Sequence, residues 1–162
     1  MRNVSIEKIT LNIGCGTTLP IDHAKTILEK VSKSTVVITK TKKRTTFNVP
    51  KNKDIGCKVT IRKDSDKFLK NLLEAKENKL KSGNFDSTGN VSFGVKEYID
   101  VPGMEYEPKL GILGFDVCVT LQRPGYRVKK KKVARPVGNK HRIKKEDAIQ
   151  FMKEKFGTKI EE

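Results

Sequence analysis

The sequence predicts an α+β fold in which helices pack on one face of a largely antiparallel sheet and leave the other face open. Two observations indicate this class. Several segments alternate apolar and polar residues, which is typical of strands with one buried side. Two segments between them carry a single apolar stripe at helical spacing. The resulting order is β-α-β-β-α-β-β, followed by a basic tail and a short terminal helix.

The first part of the chain predicts three strands and one helix. Residues 5–13 alternate as a strand, and residues 20–32 have the apolar stripe of an amphipathic helix. Residues 35–41 are rich in β-branched side chains and predict the second strand. The third strand, residues 55–62 ("IGCKVTIR"), follows a basic loop of about a dozen residues, a length that is often functional.

The second part predicts a helix over 65–80, with a buried side that includes Leu80. Strands are predicted in "VSFGVKEYI" and "FDVCVTLQR", and a short helix over 144–156. Residues 124–143 are basic, interrupted by proline and glycine, and poor in apolar residues. We expect them to lack fixed structure without a partner.

The positive charge is concentrated in two segments. The net charge is +16, yet residues 36–63 and 123–145 together hold 20 of the 35 Lys and Arg residues and only one acid. The other 111 residues carry 15 cations and 18 acids. Concentrated cations suit a polyanion, because each neutralised phosphate releases condensed counterions. The distribution therefore favours a nucleic-acid partner.

Catalytic and metal-binding classes have little support in the sequence. The three cysteines, Cys15, Cys57 and Cys118, are widely spaced, with no CxxC pair and no cluster with histidine, so we expect free thiols and no metal site. Cys15 is the best candidate nucleophile, because a helix N-terminus can lower the pKa of a thiol. Neither His23 nor His141 is fixed near it in sequence. We predict that the protein is not an enzyme and needs no cofactor or small-molecule substrate.

The chain has no apolar run long enough to span a bilayer, and "MRNVSIEKI" has no apolar stretch of signal-peptide length. We therefore expect a cytoplasmic protein without a membrane partner.

The polar side of the predicted sheet offers a surface for RNA. Lys58, Thr60 and Arg62 alternate with the apolar residues of one strand, and Lys8, Thr10 and Asn12 alternate with those of another. Hydroxyl and amide groups between cations can bond phosphate and the ribose 2′-hydroxyl, which suits folded RNA. A polar sheet face that is merely hydrated is the alternative.

Several stretches resemble one family in the same order and at similar spacing. They are "IEKITLNIGCG", "ITKTKKRTTF", "IGCKVTIR" and "NFDSTGNVSFGVKEYIDVPGMEY", within residues 4–123. This part of the chain resembles the universal large-subunit ribosomal protein five family. The ending, with "DVCVTLQRPGYRVKKKK" and "HRIKKEDAIQFMKEKFG", is similar to the archaeal and eukaryotic version.

The resemblance implies a structural constituent of the large ribosomal subunit that binds 5S rRNA and attaches it in the central protuberance. It also implies the same open-faced sheet. Together with the charge pattern, it gives this set of expected 5S rRNA contacts: Lys8, Thr10, Asn12, Thr39, Lys40, Lys42, Lys43, Lys58, Thr60 and Arg62.

Two further RNA contacts are expected from the resemblance. The loop after the second strand is similar to the family's loop that approaches P-site tRNA, through Thr45, Thr46, Phe47, Asn48 and Lys51. The basic tail is expected to reach other large-subunit rRNA or neighbouring ribosomal proteins, through Arg123, Arg127, Lys129, Lys130, Lys131, Lys132, Arg135, Lys140, His141 and Arg142.

The predicted organisation is an α+β RNA-binding domain over residues 1–123. Residues 124–162 supply the basic tail and a short C-terminal helix packed on the same domain. The remaining alternative is a general basic DNA- or RNA-binding protein, which would bind duplexes loosely and without preference.

Overall fold

The computed structural model describes residues 1–16, 19–44 and 49–161. Within these ranges, no helix is both long and apolar enough to cross a membrane. The helices are α1 (Ile21–Ser32), α2 (Ser65–Glu74) and α3 (Lys145–Phe156). The strands are β1 (Ser5–Gly14), β2 (Val37–Lys40), β3 (Asp54–Ile61), β4 (Lys79–Lys81), β5 (Val91–Val95), β6 (Phe115–Gln122) and β7 (Lys159–Glu161).

Five strands form one sheet, in the order β2-β3-β1-β6-β5, and every neighbouring pair in it is antiparallel. The predicted α+β class with a largely antiparallel sheet is confirmed. β1 lies at the centre of the sheet, and its residues pair with β3 on one side and β6 on the other. These three long strands therefore fix the position of most side chains on the sheet.

One face of the sheet forms the core. Alternate residues of the strands point to this face and pack against the apolar stripes of α1, α2 and α3 in a single cluster. Each buried Leu, Ile, Val or Phe contributes roughly 1.5–3 kcal/mol relative to an exposed one. The strand members buried on this face are Ile9, Leu11, Ile13, Cys57, Val59, Val91, Phe93, Val95, Phe115, Val117, Val119 and Leu121.

The second helix is shorter than the sequence predicts. α2 ends at Glu74, and Glu77 and Asn78 then adopt left-handed backbone conformations (φ 54° and 56°) that no helix can contain. Leu80, which was predicted on the helix, lies in β4 and is 1% exposed. β4 pairs in parallel with β7 in a separate two-stranded sheet, so the C-terminal segment supplies the partner that makes Leu80 part of a strand.

The tail is anchored at both ends, so the prediction that residues 124–143 lack fixed structure is wrong there. Tyr126 and Ile143 are buried in the core cluster. The Tyr126 hydroxyl accepts a hydrogen bond from the Ile143 N–H (2.8 Å) and donates one to the His141 carbonyl (3.2 Å). The His141 ring lies edge-on to the Tyr126 ring and contacts the Pro124 carbonyl through Nε2 (2.8 Å). Two buried apolar residues thus hold the base of the basic segment.

Candidate nucleic-acid interface

The face of the sheet opposite the core is not covered by a helix within the described ranges. We call it the open face. It consists of the residues that alternate with the core positions, and facing residues on neighbouring strands share a side of the sheet. Thr10 lies between Thr60 of β3 and Cys118 of β6, and Asn12 lies between Lys58 and Asp116. The open face is therefore one continuous polar surface across the long strands.

Six of the ten predicted 5S rRNA contacts meet on this face. Lys8, Thr10 and Asn12 of β1 lie beside Lys58 and Thr60 of β3, and Thr39 of β2 pairs with Gly56 at the edge of the same face. Lys58 and Thr60 are exposed, and the β1 side chains are half-buried between their neighbours. The structure thus brings together side chains that are up to 52 positions apart in the chain.

The other four predicted contacts lie around this group. Arg62 is exposed and comes directly after the end of β3. Lys40 ends β2 and forms an ion pair with Asp54 (3.6 Å), where both side chains are largely exposed. Such an exposed pair contributes little, so Lys40 can exchange its partner for a phosphate. Lys42 and Lys43 are exposed in the loop that follows.

The part of the open face that β5 and β6 supply was not predicted from the sequence. Its members alternate with core residues that were predicted, so the same periodicity would have found them. They include one carboxylate, Asp116, and no Lys or Arg, whereas the β1 and β3 part holds Lys8 and Lys58. The open face is thus cationic on one side and neutral to acidic on the other. The residues missed are Ser92, Gly94, Asp116, Cys118 and Thr120.

Only the base of the predicted tRNA loop belongs to the described residues. Thr45, Thr46, Phe47 and Asn48 lie outside them. Thr41 is buried, and its hydroxyl donates to the Pro50 carbonyl (2.6 Å) and accepts from the Lys53 N–H (3.1 Å). Lys51 is exposed beside this base. The loop therefore leaves the sheet from a closed, hydrogen-bonded neck.

The cations of the tail fall into two groups. Arg123 is only 11% exposed at its side chain, forms an ion pair with Asp147 (3.1 Å) and donates to the Arg142 carbonyl (3.4 Å). Lys130 forms an ion pair with Glu7 of β1. Both therefore attach the tail to the domain. The remaining predicted tail cations are exposed: Arg127, Lys129, Lys131, Lys132, Arg135, Lys140 and Arg142.

The two basic segments lie at opposite ends of the sheet. The loop 41–53 joins β2 to β3 at the end where β1 finishes, because Gly14 pairs with Gly56. The tail leaves β6 at the other end, where Gln122 pairs with Ser5. β1 has ten residues, so these ends are roughly 30 Å apart at about 3.3 Å per residue. The open face spans the distance between them.

The alternative of a thiol enzyme has no support from the geometry. Cys15 is 3% exposed, and burial raises the pKa of its thiol, which is the opposite of what an activated nucleophile requires. Within the described ranges, no group of three or more His, Cys, Asp or Glu residues is arranged to hold a metal ion.

Comparisons with known proteins place this chain in a family. A family model for the C-terminus of the ribosomal uL5 family matches residues 54–151. Three relatives carry the name large ribosomal subunit protein uL5. Those of Methanococcoides burtonii and Sulfolobus acidocaldarius are each 42% identical to this chain, and that of Methanosphaera stadtmanae is 38% identical. All three alignments cover 99% of this chain, and they cover 98%, 92% and 98% of the respective relatives. The chain that forms this open-faced sheet therefore belongs to the ribosomal uL5 family.

Proposed function

We propose that this protein is a structural constituent of the large ribosomal subunit and that it binds 5S rRNA through its open face. The observation that carries the proposal is the continuous polar surface of β1 and β3, with Lys8 and Lys58 unpaired by described acids and hydroxyl groups between them. Family membership and the names of the archaeal relatives support the ribosomal setting. In this setting the protein attaches 5S rRNA in the central protuberance.

The charge distribution orients the RNA on the sheet. Phosphates lie over β1 and β3, where Lys8, Lys58 and Arg62 can neutralise them, and away from Asp116 on β6. Thr10 and Thr60 face each other between these cations and can bond sugar hydroxyls. The RNA backbone therefore follows the cationic side of the open face.

Two further contacts complete the proposal. The loop that leaves the neck at Thr41 approaches P-site tRNA, with Lys51 at its base. The exposed cations of the tail contact large-subunit rRNA or neighbouring ribosomal proteins. Arg123 and Lys130 serve this contact indirectly, since their ion pairs with Asp147 and Glu7 attach the tail to the domain.

The test is a competition for labelled archaeal 5S rRNA, followed by fluorescence anisotropy at about 0.15 M salt, where the Debye length is roughly 8 Å. Unlabelled 5S rRNA should displace the probe much better than duplex DNA with the same number of phosphates. If both compete equally, the protein is a general basic nucleic-acid binder and the proposal fails.

A double variant tests the open face itself. Lys58→Ala with Arg62→Ala should make the slope of log affinity against log salt shallower by about 1.5–2, because each phosphate contact contributes roughly 0.7–0.9. The matched control is Lys67→Ala with Lys70→Ala, which removes the same charge from exposed positions on α2, away from the open face. An unchanged slope in the first variant would mean that the open face is only hydrated.

A further inference from the structure

A cavity of about 550 Å³ lies where α1 ends, β3 ends and α2 begins. Lys33, Arg62 and Lys63 line it together with the hydroxyl residues Ser34 and Thr60. The residues meet because β2 and β3 are antiparallel, so the segment that precedes β2 lies beside the segment that follows β3. Lys33, Ser34 and Lys63 have no role in the open face described above.

This cavity has an excess of positive charge that two other cavities lack. Its three cations are accompanied by one carboxylate, that of Asp64. A cavity of about 800 Å³ beside β4, β5 and β6 has four lysines and four acids, and one of about 340 Å³ near Gly14 has one of each. Among the described residues, Lys33, Arg62 and Lys63 form no ion pair with a carboxylate. These cations are therefore available to an anion from outside the chain.

The backbone at Lys33 supports a role for its side chain. Lys33 ends α1 in the left-handed conformation (φ 51°), a position that glycine occupies at least cost. A residue with a side chain costs roughly 1–2 kcal/mol more there. A lysine at this position is thus unfavourable for the helix end and is explained if its cation binds a ligand.

The cavity continues the open face. Thr60 belongs to both, and Arg62 lies four residues beyond Lys58, about 13 Å along the direction of β3. We propose that Lys33, Arg62 and Lys63 form a phosphate-binding pocket that receives the RNA backbone where it leaves the open face. This proposal rests on the proposed function, and it adds Lys33 and Lys63 to the RNA contacts.

The test uses the full chain and labelled archaeal 5S rRNA, with binding measured between 50 and 400 mM KCl. Lys33→Gly with Lys63→Ala removes both cations, and glycine relaxes the left-handed backbone, so the variant should keep the melting temperature of the parent or exceed it. We expect the salt slope to become shallower by about 1.5 and the affinity at 0.15 M salt to fall roughly tenfold. Lys67→Ala with Lys70→Ala is again the control and should change neither value.

The outcomes separate this proposal from the proposed function. If the pocket variant binds like the parent while Lys58→Ala with Arg62→Ala loses affinity, the pocket proposal is wrong and the open face stands. If both variants bind like the parent, both proposals fail. An equal loss in the α2 control would reduce the pocket to general charge. Inorganic phosphate at constant ionic strength should compete weakly; if it displaces the RNA at low millimolar concentration, the pocket binds free phosphate instead.

Discussion

The close approach of β1 and β3 at Gly56 allows a sharp test of the sheet that carries the open face. A Cβ atom built on Gly56 would lie 2.4 Å from the Ile13 carbonyl oxygen and 3.3 Å from the Gly14 Cα. The first distance is about 1 Å short of ordinary van der Waals contact, and both neighbours are backbone atoms of a central strand. Gly56→Ala therefore requires the two strands to move apart.

Gly14 gives a matched control, because it is the direct partner of Gly56 on β1 and a Cβ there would meet nothing within 4 Å. Neither glycine has a positive φ, so alanine fits both backbones. Each substitution lowers the entropy of the unfolded chain, worth about 0.4–1 kcal/mol, and this effect cancels between the two variants. The remaining difference is the overpacking cost at Gly56, roughly 1–3 kcal/mol.

The measurement is thermal unfolding of both variants, followed by circular dichroism in the same buffer. For a chain of this length, 1 kcal/mol corresponds to about 2–4 °C in Tm. Gly56→Ala should melt about 2–12 °C below Gly14→Ala, and Gly14→Ala should melt at or slightly above the parent. Equal melting temperatures for the two variants would show that β1 and β3 do not approach so closely at Gly56.

Two further predictions concern the tail and the open face. Tyr126→Phe leaves the buried Ile143 N–H without a partner, which should cost about 1–3 kcal/mol and speed trypsin cleavage at the tail cations; parental stability and cleavage would refute the anchor. Burial and then the Asp116 carboxylate raise the pKa of the Cys118 thiol, so Asp116→Asn should lower that pKa and speed alkylation at pH 8. An unchanged alkylation rate would mean that Asp116 does not act on the thiol.

The sequence predicts the sheet well where one strand has one wet and one buried side. The alternation of Cys57 and Val59 with Lys58 and Thr60 gives both the strand and its orientation, because a period of two has only two faces. The same pattern in β6 gives the core residues and would also have given Asp116 and Cys118. These two residues were missed because only the buried side of that strand was considered.

Long-range pairing is what local patterns cannot provide. Leu80 continues the apolar spacing of α2, and only the pairing of β4 with β7, about 80 residues later, places it in a strand. The anchors of the tail are similar. Tyr126 and Ile143 are isolated apolar residues among cations, and their burial depends on a hydrogen bond across 17 positions. Composition alone therefore predicted disorder where a few specific contacts hold the backbone.

The most direct test of the central claim uses Cys118, the one exposed thiol among the three cysteines, which lies on the open face beside Thr10. Neighbouring strands are about 4.8 Å apart, so RNA bound over β1 must also shield this position. The rate of Cys118 alkylation by N-ethylmaleimide is measured by mass spectrometry with and without saturating 5S rRNA. Binding through the open face predicts that the RNA slows this reaction at least fivefold, and an unchanged rate at saturation would contradict it.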